Sequence, residues 1–355
     1  MNQPIMKPVI TIGFPVYNVE RFVERSLKSA LEQDFDLPYE VLVIDDCGTD
    51  GSMNVVRDLA ASHHKGDCIR IVKHSVNKGL GEASNTIIDN AYGEWLLYLD
   101  SDDSLTPDCL RLLYEKAVTE NADFVIGNTL MVDEVRKETI NHGAFTNQAI
   151  RHDSAAVYML VKEFDHPGHE RWNKLYNIHF LRDNRIRCRH RIMEDLIWGF
   201  TAYAYSQCVV TVNKTTYLYN NSPRESIMAV VQGHNDKILP KEVLDIYVSV
   251  IQNMQKIILK EFANSKYVYD MYFYIIEAIW KTLKHTAPQN LQYISDKTLG
   301  FATIVPNMFH LQNQYNRFFY ILANTNNASI LDYINIRMKA DRKVWRSLRW
   351  IVARL

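Results

Sequence analysis

The sequence lacks several features that would decide its class at once. Its five cysteines, Cys47, Cys68, Cys109, Cys188 and Cys208, are odd in number and show no C-x-x-C spacing, which argues against both a disulfide framework and a zinc site. Reduced thiols follow, and with them an expected cytoplasmic location. No basic N-terminal segment leads into an apolar stretch, and no apolar run approaches the roughly 18 to 20 residues of a bilayer crossing. Neither secretion by that route nor a membrane span is expected. Charge has no dominant sign, since 40 basic residues face 41 acidic ones for a net of -1. Global charge therefore names no partner, and nucleic acid is not expected among them. Repeats and low-complexity tracts are absent. What remains is an ordinary globular composition over 355 residues, long enough for two domains or for one domain with an appendage.

What is present is alternation. Val9–Phe14 reads as a strand, residues 19–33 as a helix, Glu40–Asp45 as a strand, and a helix follows Gly51. The pattern continues with a strand at Ile69–Lys73, a helix at Gly81–Ala91, a strand at Trp95–Asp100, a helix at Pro107–Glu120 and a short strand at Asp123–Gly127. Strands alternating with helices predict an α/β fold with a mostly parallel sheet wound by right-handed crossovers. The period changes across residues 128–150, where a hairpin or irregular connection is expected, and mixed segments run on to Tyr219. After about Ser226 the pattern is helical, as in Val243–Ile258, Tyr267–Leu283 and Phe309–Ala323. The expected division is a first domain over 1–228 and a helical C-terminal region over 229–355.

The richest chemistry lies where apolar runs end in acids. Trp95-Leu96-Leu97-Tyr98-Leu99 runs into Asp100-Ser101-Asp102-Asp103, and Val41-Leu42-Val43-Ile44 runs into Asp45 and Asp46. Ligands of open α/β sheets collect at the carboxyl ends of strands, and crowded carboxylates are relieved by a hard divalent cation that also carries substrate phosphates. A solvated loop ahead of the next helix is the alternative for the first cluster, as is helix capping by Thr49 and Asp50 for the second. Ile10–Phe14 ends in Pro15-Val16-Tyr17-Asn18, a rigid turn that can face Tyr17 to a ligand. Asn77-Lys78-Gly79-Leu80-Gly81-Glu82-Ala83-Ser84-Asn85 opens a helix but matches neither phosphate fingerprint. It lacks G-K-[ST], and Ser84 stands where the dinucleotide motif needs its third glycine.

Taken in order, P-V-Y-N, D-D-x-G-T-D-G-S, N-x-G-x-x-x-A-x-N and L-D-S-D-D resemble the motifs of family-2 glycosyltransferases with the GT-A fold. Further matches are Trp172-Asn173-Lys174-Leu175-Tyr176, Met193-Glu194-Asp195-Leu196-Ile197-Trp198, and Tyr217-Leu218-Tyr219 with Arg224 and Ser226 downstream. The resemblance covers roughly residues 7–228. It implies transfer of a hexosyl or N-acetylhexosaminyl group from a nucleotide diphosphate sugar, most naturally a UDP-sugar, to an acceptor hydroxyl with inversion. By motif position it implies that Pro15, Tyr17 and one of Asp45 or Asp46 contact the nucleoside. Asp100, with Ser101 beside it, approaches the ribose, and Asn85 belongs to the donor side. Asp102 ligates Mn2+ or Mg2+, Asp195 acts as base with Glu194 supporting it, and Arg224 clamps the departing pyrophosphate.

Two departures stand out. Cys47 and Gly48 replace the glycine and serine of the usual D-D-G-S, and Ser84 stands where an arginine often precedes the asparagine. The basic run Arg187, Arg189, His190 and Arg191 suits an acidic sugar or a lipid-linked pyrophosphate acceptor, or is simply solvated. The segment from Arg337 to Leu355 interleaves seven basic residues with Val344, Trp345, Leu348, Trp350, Ile351 and Val352. Such a helix suits an anionic membrane surface, docking on the preceding helices, or a homo-oligomer contact. Together these features predict surface polysaccharide or lipid-linked oligosaccharide synthesis at the inner face of the cell membrane. The alternative is a catalytically silent, nucleotide-sugar-binding scaffold subunit. A nucleotidyltransferase shares the metal-and-phosphate chemistry, but Pro15–Glu20 offers no glycine-rich basic loop.

Overall fold

A computed structural model describes residues 7–133, 138–142, 145–151, 168–189, 194–220, 239–261 and 288–298. These fall into two compact units, one built from residues up to 220 together with 253–261, the other from 239–252 and 288–298. The expected division at 228/229 falls outside the described residues, as do Arg224, the helices read at Tyr267–Leu283 and Phe309–Ala323, and the basic segment from Arg337.

The first unit begins with the expected alternation: β1 (Ile10–Val16), α1 (Glu20–Leu31), β2 (Tyr39–Asp45), α2 (Ser52–Ser62), β3 (Ile69–Lys73), α3 (Leu80–Asn90) and β4 (Trp95–Tyr98). β1, β2 and β4 are buried along their whole length, as near-continuous apolar strands of a sheet covered on both faces must be. Each helix buries one stripe. In α1 it is Val23, Ser26, Leu27, Ala30 and Leu31, the i, i+3, i+4, i+7, i+8 spacing of a single helical face. β3–β2–β1–β4 pair in parallel, with Gly13 beside Tyr98 and Val16 beside Asp45.

Beyond β4 the sheet becomes mixed. The short β5 (Ser104–Leu105) precedes α4 (Cys109–Glu120), after which β6 (Phe124–Asp133), β7 (Glu138–His142) and β8 (Gln148–Arg151) follow. β6 therefore continues well past Gly127, and the hairpin expected over 128–150 forms from β6 and β7. β9 (Lys174–Asn177) enters antiparallel between β4 and β6. It is followed by α5 (Ile178–Asp183), α6 (Glu194–Tyr205) and β10 (Cys208–Asn220), which runs parallel to β6 and antiparallel to β5 and β8. The spatial order is β3-β2-β1-β4-β9-β6-β10-β5. Thus β9 is the seam between a wholly parallel part and a mixed part.

In the second unit, residues of α7 (Lys241–Glu261) meet α8 (Pro288–Thr298). The Leu239 N–H donates to Asn290 Oδ1 at 3.1 Å and Tyr293 Oη to Asp245 Oδ1 at 2.6 Å. Among the described residues no helix is long and apolar enough to cross a membrane.

Candidate active site

The parallel strands end in one row. The Asp46 N–H donates to the carbonyl of Val16 at 3.1 Å, the His74 N–H to that of Asp45 at 2.9 Å, and the Leu99 N–H to that of Gly13 at 3.0 Å. Backbone ladders therefore deliver Tyr17, Asp45, Asp46 and Asp100 to the same edge. Pro15 is buried within β1, whereas Tyr17, one step past the strand, is 48% exposed. Asn18 adopts φ 52° and its Oδ1 accepts from the Thr49 N–H at 2.7 Å, which joins the turn after β1 to the turn after β2.

The two acids at the end of β2 have separate tasks. Asp46 accepts from the N–H groups of Lys78 (2.9 Å) and Gly79 (2.8 Å), and its Oδ1 lies 2.6 Å from His74 Nδ1. His74 Nε2 in turn meets Thr86 Oγ1 at 2.8 Å. Both Asp46 oxygens are thus engaged in holding the β3–α3 loop, where Gly79 takes φ 87°, a conformation that L side chains rarely adopt. Asp45 Oδ1 accepts from the Cys47 N–H at 3.1 Å, and Oδ2 lies 3.7 to 3.9 Å from the cations of Lys73 and Arg57. Of the pair, Asp45 is the one whose second oxygen makes only long contacts, reaching from a buried side chain to the exposed cations of Lys73 and Arg57. Asn85 is also engaged: its Nδ2 donates to the Cys188 carbonyl at 2.8 Å, and its Oδ1 accepts from the Cys188 N–H at 2.9 Å.

The Asp100–Asp103 loop is fastened from beneath. Tyr217 Oη donates to Asp103 Oδ2 at 2.8 Å and accepts from the Asp100 N–H at 3.2 Å, while the Asn220 N–H donates to Asp103 Oδ1 at 2.8 Å. Asp103 is wholly buried and serves as the loop's anchor to β10. Ser26 Oγ donates to the Asp100 carbonyl at 3.2 Å and Arg25 Nη2 to that of Asp102 at 2.8 Å. Ser101 is buried, while Asp100 and Asp102 are partly exposed.

Glu194 and Asp195 open α6, and aromatic packing ties that helix to the acid-bearing strand. Trp198 stands edge-on to Tyr98 of β4 with ring centroids 5.6 Å apart, and its Nε1 donates to Tyr176 Oη at 3.2 Å. Gly199 permits a close approach, because a Cβ there would lie 2.6 Å from the His169 backbone. The consequence is convergence of acids from distant parts of the chain. Burial pushes the Asp100 carboxyl up to about 7; the cation of Arg171 opposes this, and the carboxylates of Asp102, Asp195 and Glu194 add to it. Burial likewise raises Glu194, reinforced by Asp195 and opposed by Arg171.

Arg171 is a site residue that the motifs did not single out. It is 2% exposed, contacts Asp195 Oδ1 through Nη1, and lies 3.6 Å from Glu194 Oε1. The only hint in the sequence was its place just before the Trp172–Tyr176 match. Trp172 stacks on Tyr217 and Tyr219 at 4.7 and 5.5 Å between ring centroids. Asn173, at φ 57°, donates to the Gly127 carbonyl at 2.6 Å and to Thr129 Oγ1 at 2.8 Å. Lys174 is buried with its Nζ 2.6 Å from the Glu170 carbonyl, and burial lowers it to about 8. Among the described residues no group of three His, Cys, Asp or Glu side chains is placed to hold a metal ion.

Comparison with known proteins agrees with this architecture. The sequence model of the family described as "Glycosyl transferase family 2" matches residues 11–197. Glycosyltransferase GlyA of Streptococcus pneumoniae serotype 4 is 27% identical over 216 residues, covering 59% of this chain and 30% of that protein. Cholesterol galactosyltransferase of Borreliella burgdorferi is 25% identical over 236 residues, covering 64% of each chain. The match thus spans about a third of the first relative's length and just under two thirds of the second's. In structure the chain is similar to S. aureus TarS 1-349 in complex with UDP-GlcNAc, with TM-score 0.63 and 17% identity over 88% of this chain and 89% of that one. That likeness carries the GT-A fold.

Proposed function

From its membership of glycosyl transferase family 2, to which this chain belongs, we propose that it is an inverting glycosyltransferase moving a sugar from a UDP-sugar to an acceptor hydroxyl. The observation that carries this reading is that two segments are brought together: parallel ladders carry Tyr17, Asp45 and Asp100 to one sheet edge, and the edge-on contact of Trp198 with Tyr98 ties α6, which bears Glu194 and Asp195, to the strand that leads into Asp100. A donor seated on the first segment and an acceptor activated by the second would meet there. The UDP in the TarS complex supports the choice of nucleotide.

In this reading the uracil lies against exposed Tyr17, with Asp45 accepting from the base N–H, and Asp100 and Ser101 line the ribose. Asp46 and Asn85 are left out of the donor set, because the β3–α3 loop and Cys188 already engage them. The donor chemistry of the acid loop fits a hard cation. Asp102 would be the protein's ligand to Mn2+ or Mg2+, hard cations that take oxygen donors. Such an ion neutralises charge on a departing diphosphate. Asp195 accepts the proton of the acceptor hydroxyl as its oxygen attacks the anomeric carbon from the face opposite the diphosphate. Glu194 supports it, and Arg224, outside the described residues, would meet the pyrophosphate.

Polysaccharide or lipid-linked acceptors at the inner membrane face remain the expected setting, with the Arg337–Leu355 segment as the contact to the membrane or to a second copy. The test is a panel of UDP- and GDP-sugars with and without Mn2+, reading nucleotide release and sugar transfer, alongside calorimetry with UDP. Metal-dependent turnover with a UDP-sugar is expected. UDP binding with no turnover across the panel would favour the silent scaffold instead.

A further inference from the structure

We propose that Arg171 is a positioning residue for the general base, gripping Asp195 by Oδ1 while the loop clasped by Asn85 holds the guanidinium in place. The inference rests on the reading of Asp195 as the base. Arg171 is almost wholly buried, whereas the Asp195 side chain is 34% exposed. The cation therefore lies beneath the carboxylate, away from solvent. With Oδ1 taken by Nη1, Oδ2 has no hydrogen-bond partner among the described residues. One oxygen is fixed and the other keeps its lone pairs for a proton. A side chain about one third in solvent becomes an oriented one.

Charge points the same way. The titratable or charged groups that the described residues bring to bear on Asp195 come from four places. Glu194 lies on its own helix, Arg171, Lys174 and Tyr176 on β9 and the segment leading into it, Cys188 on the loop after α5, and Asp100 on the loop after β4. Glu194 and Asp100 bring negative charge toward Asp195. Arg171 is the cation in direct contact that opposes them. The guanidinium is itself held: its Nη1 lies 3.7 Å from Cys188 Sγ, and both backbone polar groups of Cys188 are bonded to the Asn85 amide. Asn85 thus reaches the base through Cys188 and Arg171.

The test uses the full chain and the UDP-sugar that gives turnover, with Arg171→Met, Arg171→Lys and Asn85→Ala compared by pH profile, by kcat against KM, by calorimetry with UDP and by thermal melting. Arg171→Met should lower kcat about 100-fold, the scale of lost general-base catalysis, while the Kd for UDP is unchanged. Without the neighbouring cation Asp195 holds its proton more tightly, so the acid limb of kcat should move up by about one pH unit. Arg171→Lys should return the limb and part of the rate, and Asn85→Ala should lower kcat by about tenfold, roughly the cost of a small misplacement of a reacting group. A folded Arg171→Met with the parental kcat and acid limb would overturn the proposal, as would a rate loss with no movement of the limb and no recovery in the lysine variant. Should Arg171→Met fail to fold, parental kcat and pH profile in both Arg171→Lys and Asn85→Ala would overturn it equally. Full turnover by Asp195→Asn would instead remove the underlying base assignment; an inactive Asp195→Asn beside a normal Arg171→Met rejects this inference alone.

Discussion

The edge formed by β1, β2 and β4 and the region around α6 present their acids by different means. At the edge, position comes from backbone: parallel ladders with an unbroken register carry Tyr17, Asp45 and Asp100 to the ends of buried strands. Around α6, position comes from side chains. Glu194 and Asp195 begin a helix fixed by Trp198 against Tyr98 and Tyr176, and Arg171 reaches them from 23 and 24 residues earlier. A ladder tolerates the loss of one side chain, because its hydrogen bonds belong to the main chain. A constellation of side chains does not. Substitutions at the edge should therefore remove a ligand contact and little else, whereas those near α6 should disturb the geometry of several groups at once.

The largest expected effects test that division directly. Asp102→Ala should abolish metal-dependent UDP binding and, with it, turnover, while the melting temperature stays near the parental value. Asp195→Asn should cut kcat by roughly 100- to 10,000-fold, the usual range for a general base, and leave UDP affinity intact in calorimetry. If Asp102→Ala kept metal-dependent binding, the edge would not be the donor site. If Asp195→Asn weakened UDP binding as much as turnover, the two regions would not be separable.

Asp46 sharpens the comparison, because it sits at the edge yet behaves like the residues near α6. An asparagine has one acceptor oxygen where the carboxylate serves Lys78, Gly79 and His74, so one backbone N–H would face an amide donor. Asp46→Asn should therefore cost about 1.5 to 3 kcal/mol of stability, the range for bonds to a charged group, measured by denaturant unfolding. An unchanged stability would mean the β3–α3 loop is held by its backbone alone.

Much of this organisation was legible in the sequence, for physical reasons. Continuous apolar runs interrupted by helical stripes gave the parallel strands and the helices between them, and acids at the ends of those runs marked the edge. The extension of β6 to Asp133 was not legible, since its outer half is only partly buried and its apolar pattern weakens after Gly127. Nor was the antiparallel entry of β9, because a four-residue strand carries no directional signal. The engagement of Asp46 and Asn85 could not be read either. Motif position gives a residue's neighbourhood, whereas its partners, His74 and Cys188, are set by the tertiary fold. Arg171 was hidden for a related reason: a charged residue is ordinarily read as solvated, and only two carboxylates arriving from α6 make its burial tolerable.

A smaller effect is expected where β10 braces the acid loop. Tyr217→Phe removes a hydroxyl that donates to Asp103 in a buried contact and accepts from the Asp100 N–H in a partly buried one. Stability should fall by about 1 to 2 kcal/mol, the cost of stranding such groups. If the brace matters to the donor, the KM for the UDP-sugar should rise while the Kd for acceptor does not. Equal changes in both would show the loop to be held without Tyr217.

The smallest effect separates backbone from side chain at a single residue. Cys47 replaces the glycine of the usual D-D-G-S motif, yet it retains a left-handed conformation with φ 59°. A side chain in that region costs about 1 to 2 kcal/mol relative to glycine. Cys47→Gly relieves this strain but adds freedom to the unfolded chain, worth about 0.4 to 1 kcal/mol in the opposite direction, and removes the thiol contact to the His74 carbonyl at 3.0 Å. A thiol is a weak donor, so relief of strain should narrowly prevail. The variant should gain a few tenths of a kcal/mol, a shift in melting temperature of about 1 °C for a chain this large, with UDP affinity unchanged. A fall of several degrees would show instead that the thiol contact to the carbonyl after β3 holds the turn. In that case the edge, too, depends on a side chain, and its contrast with α6 would be one of degree.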